Sequence, residues 1–507
     1  MPTLTLLLED GPRAIPVEQG ALVSDVLSRA GLDVDMPCGG QGRCGKCRVW
    51  ASGRLSPPDA SERGALGEEK LREGFRLACR CRILGDARLR PAYQAAVSQI
   101  RASGAGETSG PMEDPLFHTL GAAVDIGTTT LAAQLYDRSG PLGFAAAPNP
   151  QRTYGADVIS RIGRAMAGDG PALASCIRRA VAALLEEMCR AAGREARELD
   201  GLVVTGNTAM LHLLTGTDPS PLAAAPFQAR ELFGKTVPAG KLDLPCPPDT
   251  PVYLPRCVSA FVGGDITTAL LASGICRRPE SALLMDIGTN GEIALWHKGE
   301  LLCCSTAAGP AFEGAGLSQG MQGAPGAIDH VGVENGRLSV HTIGDRPAVG
   351  VCGSGAIDAV AALLVVDALD ETGCFTGEED AYPLAEQVRF TQQDVRQIQL
   401  AKSAIRAGTQ TLLHRSGVRP EELAQAAVAG GFGSYVDLGS AAAIGLVPEE
   451  LVGRCRVLGN AALAGAAMVL RRGALAGESE ALARRAKTLD LAADPFFMEQ
   501  YVEQMLF

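Results

Sequence analysis

Apolar residues alternate at the start of this chain and gather into blocks further on. Residues 3–8 (Thr-Leu-Thr-Leu-Leu-Leu) form a strand pattern, and residues 14–18 supply its hairpin partner. Residues 21–30 predict a short helix, which Gly31 ends because glycine tolerates the left-handed turn after a last helical residue. Residues 91–115 turn polar, contain Arg101-Ala-Ser-Gly-Ala-Gly-Glu-Thr-Ser-Gly110, and show no apolar period, as a linker does. An apolar strand then runs through Leu120-Gly-Ala-Ala-Val-Asp125-Ile into Gly127-Thr128-Thr129-Thr130, and a second strand restarts at Leu131. The same pattern recurs in Ala282-Leu-Leu-Met-Asp286-Ile-Gly288-Thr289-Asn290-Gly291-Glu292. Two Asp-Ile-Gly-Thr hairpins about 160 residues apart predict a duplicated α/β unit. Helices open at Gly264-Asp265 and Gly459-Asn460, and an apolar strand over 424–429 runs into Gly430-Gly431-Phe432-Gly433.

Cysteines change the picture of the N-terminal segment. Cys38, Cys44 and Cys47 follow C-x5-C-x2-C within a glycine-rich run, and Cys79 lies further on. Four soft thiolates on a loop that wraps closely suit an iron–sulfur cluster, and glycines free backbone N–H groups to point at the sulfurs. Structural zinc favours two short Cys pairs, and disulfides need an oxidising compartment, so both rank behind. The spacing resembles the [2Fe-2S] domain of the ferredoxin family over residues 1–90, including Arg76-Leu-Ala-Cys79. Cys81 lies two residues beyond Cys79. Cys79, on the family's Leu-Ala-Cys pattern, is the expected ligand. Cys81 is then a buried bystander, placed to stand in for a lost Cys79.

Composition narrows the function classes. With 507 residues there is room for about three domains, and 46% apolar against 20% charged residues implies well-buried cores. A net charge of −11, without clustered Lys or Arg, argues against a nucleic-acid partner. No secretory signature opens the chain and no apolar run reaches the length of a membrane helix. Of fifteen cysteines, the eleven outside the cluster set are mostly isolated in apolar segments, as reduced buried thiols are. A cytoplasmic protein with no membrane or nucleic-acid partner is expected.

The repeated hairpins have a legible chemistry. A glycine turn turns its N–H groups to phosphate oxygens, Thr hydroxyls add donors, and Asp holds a hydrated Mg²⁺. Asp125 and Asp286 are therefore expected to organise Mg²⁺ and the attacking water, with Gly127, Thr128, Thr129, Thr130, Gly288, Thr289, Asn290 and Gly291 around the phosphates. Asp265 is a candidate for orienting that water, a plain helix N-cap being the alternative. Asn207, after Gly206, is expected to close over the γ-phosphate, an ordinary turn being the alternative. Gly430, Gly431 and Gly433 would let adenine or ribose lie against backbone, and Gly353, Ser354 and Gly355 meet the nucleotide. Cys352 has no base beside it and reads as a packing residue, as do Cys303 and Cys304. Gly40-Gln-Gly42-Arg-Cys-Gly45 imitates a dinucleotide motif but falls between cluster ligands, and Gly234-Lys235-Thr236 lacks the leading glycine of a phosphate loop.

The ordered set over residues 120–470 resembles the ATPase family of actin, the heat-shock chaperones and sugar kinases. That resemblance implies ATP held between two ribonuclease-H-like lobes that move about hinge helices. The fold class is therefore multidomain: an α+β ferredoxin-like [2Fe-2S] domain, then two α/β lobes of the actin-like ATPase fold. Expected boundaries are 1–90 for the cluster domain, 91–118 for the linker, 119–275 and 276–475 for the lobes, and 476–507 for a C-terminal tail.

The combination resembles the reductive activators of corrinoid proteins in anaerobic methyl-transfer metabolism. Further segments that match that family are Val203-Val-Thr-Gly206-Asn207-Thr208-Ala-Met210, Ala308-Gly309-Pro310-Ala-Phe312-Glu313-Gly314-Ala315 and Val351-Cys352-Gly353-Ser354-Gly355-Ala356-Ile357-Asp358. The resemblance implies ATP-dependent reduction of Co(II) to Co(I) on a corrinoid protein of a methyltransferase system, an upstream electron donor, and a possible homodimer. The main rival reading is a small-molecule kinase or ATPase with a regulatory iron–sulfur domain. Others are an interaction module or chaperone, and an activator with its cluster held between subunits. The absence of cysteine after Cys455 speaks against activators with C-terminal [4Fe-4S] clusters. The glycine-rich, nearly uncharged segment 311–328 is a candidate partner surface, with the Ser318 hydroxyl aimed at cobalt, a loop that merely packs being the bland alternative.

Overall fold

The computed structural model describes residues 1–8, 11–30, 32, 34, 36, 40–43, 45–91, 112–431 and 436–507. Gly31, Cys38, Cys44, Phe432, Gly433 and linker residues 92–111 lie outside the described residues.

Alternation in Thr3–Leu8 buries Leu4 and Leu6 and pairs this strand with Gly11–Pro16 on one side and, in parallel, with Ile83–Pro91 on the other. Arg48–Leu55 and Phe75–Leu77 complete a five-stranded sheet. The expected helix forms over Val23–Arg29. A second helix, Ala60–Arg72, opens on a capping box in which the Asp59 side chain accepts from the Glu62 N–H.

Both lobes are built on one plan. In the first, Leu120–Ile126, Thr130–Asp137 and Gly140–Pro148 form an antiparallel meander, and Leu199–Gly206 and Pro251–Leu254 add in parallel beside its first strand. In the second, Ala282–Ile287, Gly291–His297 and Glu300–Thr306 form the meander, with Gln425–Ala429 and Cys455–Val457 added in parallel. Every residue of Leu120–Ile126 is buried, as expected of a central strand covered on both faces. Each Asp-Ile-Gly turn leaves the carboxyl end of such a strand, where α/β folds place their ligands.

Helices Gly264–Ser273 and Ala461–Arg471 cross between the lobes. At their crossing a Cβ on Gly465 would lie 1.8 Å from the Thr268 carbonyl oxygen, so only glycine permits this approach. The C-terminal segment is folded: helix Pro495–Glu503 packs on Gln392–Ser416, where Ser403 and Lys402 donate to the carbonyls of Tyr501 and Leu506.

Candidate functional site

Between the lobes lies a cavity of about 570 Å³, walled by both Asp-Ile-Gly turns, both hinge-helix starts and the Gly430-Gly431 turn. The turns are tight: the Gly127 N–H donates to Thr130 O at 3.0 Å, and the Gly288 N–H to Asn290 O at 2.9 Å. The carbonyls of the first turn are held from behind. Asn149 Nδ2 donates to Gly127 O at 2.8 Å, the Asn149 N–H to Thr129 O at 2.8 Å, and Arg161 Nη2 to Thr128 O at 2.6 Å. With acceptors tied back, the Thr128, Thr129 and Thr130 face of the cavity is left rich in donors, which suits phosphate. Asn207 caps helix Thr208–Thr215 and extends Nδ2 to Thr128 Oγ1 at 3.1 Å. Across the cleft, the Gly309 N–H ties back Thr289 O at 2.9 Å. A Cβ on Gly430 would meet the Ile287 carbonyl oxygen at 2.0 Å, and one on Gly353 the Phe312 oxygen at 1.7 Å. Glycine at both places lets backbone form the wall.

Five buried acids, Asp125, Asp265, Asp286, Glu292 and Glu313, share this cavity, and burial pushes each toward its neutral form. Burial pushes Asp125 up to about 7, assisted by the charge of Asp265, while Asn460 Nδ2, donating to Asp125 Oδ2 at 2.8 Å, opposes the rise. Burial, then the charges of Asp265 and Asp125, pushes Asp286 up to about 8. Burial raises Asp265 to about 6, and Glu292 well above the usual carboxylate range. Asp265 is not the N-cap, which is Gly263; it sits in the first helical turn, and Ile266 N–H donates to its Oδ1 at 2.8 Å.

In the cluster domain, Cys47 Sγ lies 3.3 Å from Cys79 Sγ, and both thiols are buried. Gly40, Gly42 and Gly45 all take left-handed φ, between 68 and 80°. The loop around the ligands thus curls where only glycine is unstrained. Arg76 joins Glu62 through Nε–Oε1 at 3.0 Å and Nη2–Oε2 at 2.8 Å, and the Leu77 N–H donates to the same carboxylate at 3.0 Å. This buried, bidentate pair fixes the segment that delivers Cys79. Residues 78–80 form a turn, not a strand, and this turn separates the two thiols, which a strand would have set on one face. Cys79 faces Cys47, whereas Cys81 is fully buried in the domain core and burial pushes its thiol up to about 11. A paired cysteine set on a glycine cradle fits a thiolate-held cluster.

Of the residues expected at the nucleotide, Asp125, Gly127, Thr128, Thr129, Thr130, Asn207, Asp265, Asp286, Gly288, Thr289, Asn290, Gly353, Ser354, Gly430 and Gly431 converge on the one cavity. Gly291 and Gly355 do not line it. They serve close packing instead: a Cβ on Gly291 would be 2.8 Å from Ile405, and one on Gly355 2.2 Å from Ile328 O. Ser318 lies away from the cavity, and its N–H and hydroxyl both bond Asp394, at 2.6 and 2.5 Å. Sequence reasoning passed over Asn149, Arg161, Glu292 and Glu313, and read Asn460 only as a helix opener. Glu313 does carry a signal, since it stands in the segment 308–315 that matches the activator family.

Fold and cavity define a two-lobed ATPase of the ASKHA type joined to a [2Fe-2S] domain. Family models match in the same order: the 2Fe-2S iron-sulfur cluster binding domain over residues 7–84, the RACo middle region over 120–278, and the C-terminal domain of RACo, the ASKHA domain, over 280–507. The chain belongs to the RACo family of corrinoid activation proteins. It is 30% identical to the corrinoid activation enzyme RamQ of Eubacterium limosum over 618 aligned positions, which cover 100% of this chain and 99% of that one. It is 29% identical to the [Co(II) methylated amine-specific corrinoid protein] reductase of Methanosarcina barkeri over 49% of this chain and 52% of that protein. The solved structure of a reductive activator for corrinoid, iron-sulfur protein matches with a TM-score of 0.73 at 26% identity, covering 100% of this chain and 98% of that one. The expected fold class and family resemblance are borne out. Among the described residues no helix is long and apolar enough to cross a membrane.

Proposed function

We infer that this chain is an ATP-hydrolysing reductive activator: it passes one electron through its [2Fe-2S] cluster to the Co(II) corrinoid of a partner protein and yields Co(I). The observation that carries this reading is the union, in one chain, of a cysteine cradle and an interlobe nucleotide cavity. When bound, the cluster supplies one-electron chemistry, held by Cys38, Cys44, Cys47 and Cys79. The work of the ATPase half is set by thermodynamics. Ten-fold in a one-electron equilibrium corresponds to about 59 mV, so a deficit of about 240 mV needs a ~10⁴-fold bias. A ~10⁴-fold bias is about 5.5 kcal/mol of differential binding between two states. Lobe closure on ATP is a suitable source.

The charge of the cavity calls for Mg²⁺. Its walls include Asp125, Asp265, Asp286, Glu292, Glu313 and Asp329 and, among the described residues, no Lys or Arg. A polyphosphate enters such a place only with a cation. Among the described residues no three such side chains converge closely enough to grip an ion directly, so Asp125 and Asp286 would hold Mg²⁺ through its waters. Thr128, Thr129, Thr289 and Asn290 would donate to phosphate oxygens, Asp265 would orient the attacking water, and the backbone at Gly430 and Gly431 would face the nucleoside. The partner is a corrinoid protein of a methyltransferase system and the electron comes from an upstream donor. A reducing cytoplasm suits buried thiols such as Cys257 and Cys303.

The test is Co(I) formation, followed by its absorbance, with Co(II) corrinoid protein, reductant and Mg–ATP. Co(I) should form only with ATP. Cys47→Ser should abolish it while ATP hydrolysis persists, and Cys81→Ser should keep the cluster spectrum. Equal reduction without ATP, or a phosphorylated small molecule with no cobalt reduction, would overturn the reading.

A further inference from the structure

Glu313 sits where the sequence would place phosphate. Its carboxylate accepts from the hydroxyl and backbone N–H of Thr289, the former at 3.0 Å, and from the hydroxyl of Thr129. The two Thr hydroxyl oxygens are themselves 3.3 Å apart, so the tips of the two phosphate turns meet over this one side chain. A carboxylate held by three donors is a stand-in for a terminal phosphate. The two cannot share these donors.

Beyond Glu313 the chain reaches the cluster domain. Gly314 and Gly316 take φ of 73 and 84°, and a Cβ on Gly314 would lie 2.0 Å from Met321 O, so residues 314–321 fold back as a closed loop. At its far side the Leu317 carbonyl accepts from Lys46 Nζ at 2.5 Å. Lys46 is the neighbour of the cluster ligand Cys47. A seam of about 240 Å³ runs between Lys46, Arg48 and Ala65 on the cluster domain and Gly316, Leu317 and Ser318 on the loop. Ser318, bonded to Asp394 at the start of helix Gln392–Ser416, stiffens the loop, so displacement of Glu313 is passed along it. A short run of chain, from Glu313 to Leu317, bridges the phosphate site and the seat of the cluster domain.

The geometry points to an ATP-gated seat for this chain's own cluster domain: Glu313 occupies the phosphate donors, and nucleotide expels it, shifts loop 314–318 and releases Lys46. This rests on the ATP reading above. Without nucleotide the cluster domain is parked on the second lobe, and with nucleotide it is free to approach a corrinoid. Coupling of this kind is reciprocal, so loosening the seat must tighten nucleotide binding by the factor by which nucleotide loosens the seat, typically ~5- to 150-fold.

The experiment uses the full chain with its cluster, hydrogen exchange by mass spectrometry, and calorimetric binding of Mg²⁺ with adenosine 5′-(β,γ-imido)triphosphate. In the unsubstituted chain, exchange in peptides spanning 45–51 and 314–321 should rise on nucleotide binding. Glu313→Ala should show the raised exchange without nucleotide. Lys46→Met, at a position with no atom in the cavity, should bind the nucleotide at least ~5-fold more tightly, with cluster absorbance as the control. Nucleotide that binds while both peptides keep their exchange overturns the gated seat and leaves the ATP reading standing, as does unchanged affinity in Lys46→Met. No nucleotide binding at all overturns both.

Discussion

The two phosphate turns have the same Asp-Ile-Gly-Thr opening but different support. The first is pinned: Asn149 and Arg161 hold its carbonyls, Asn207 bonds Thr128, and Asn460 holds Asp125. The second is held less firmly. Burial and the charges of Asp265 and Asp125 all push Asp286 upward, so it rises to about 8, whereas the Asn460 donor keeps Asp125 to about 7. Its Thr289 bonds Glu313, a side chain that must leave if phosphate is to enter. Duplication supplied two equal hairpins, and their surroundings made one an anchor and the other a responder.

The largest effect that divides them is on hydrolysis. Asp286→Asn should lower the rate of Mg-dependent ATP hydrolysis at least ~100-fold, with the cluster spectrum unchanged. A rate within a few-fold of the unsubstituted chain would remove the second turn from the chemistry. Next comes the anchor. Arg161→Met strips the first turn of a buried charged hydrogen bond, a loss of ~1.5–3 kcal/mol, so nucleotide affinity should drop ~10- to 100-fold by calorimetry. Unchanged affinity would mean that the pinning is ornamental.

Asn460→Ser keeps a good helix cap but withdraws the donor from Asp125. That donor favours the ionised carboxylate, so its loss raises the Asp125 pKa. The acid limb of the pH–rate profile should move to higher pH, with activity lost near pH 7 and recovered as pH rises, by about one unit. The smallest effect is in protons. Asp125 and Asp286 are partly protonated before nucleotide binds, and a cation lowers both pKa values, so Mg–ATP binding should release protons and strengthen as pH rises towards 8. Calorimetry in buffers of different ionisation enthalpy should find the release reduced more by Asp286→Asn than by Asp125→Asn.

Short-range patterns told most of this protein from its sequence. The Cys-rich loop, the paired Asp-Ile-Gly turns and the Gly-led helix starts each lie within a few consecutive residues, where backbone geometry and residue chemistry are read together. They determined the three-part architecture and the family resemblance, and fifteen of the expected nucleotide-cleft residues converge on one cavity. Tertiary structure decided what depends on distant partners. Asn460 reaches Asp125 across 335 positions, and Glu313 reaches Thr129 across 184. Neither residue announces by type or spacing which carboxylate or hydroxyl it will meet. The same holds for Gly291 and Gly355, which look like phosphate-loop glycines but are required by Ile405 and Ile328 O packed against them. Ser318 looked free in an uncharged loop until Asp394, 76 residues on, took both its donors. The sequence by itself determined which groups this protein possesses and the local turns that present them. Only the packing of two lobes and a cluster domain decided which groups face one another, because burial and like-charge crowding arise between segments and not within them.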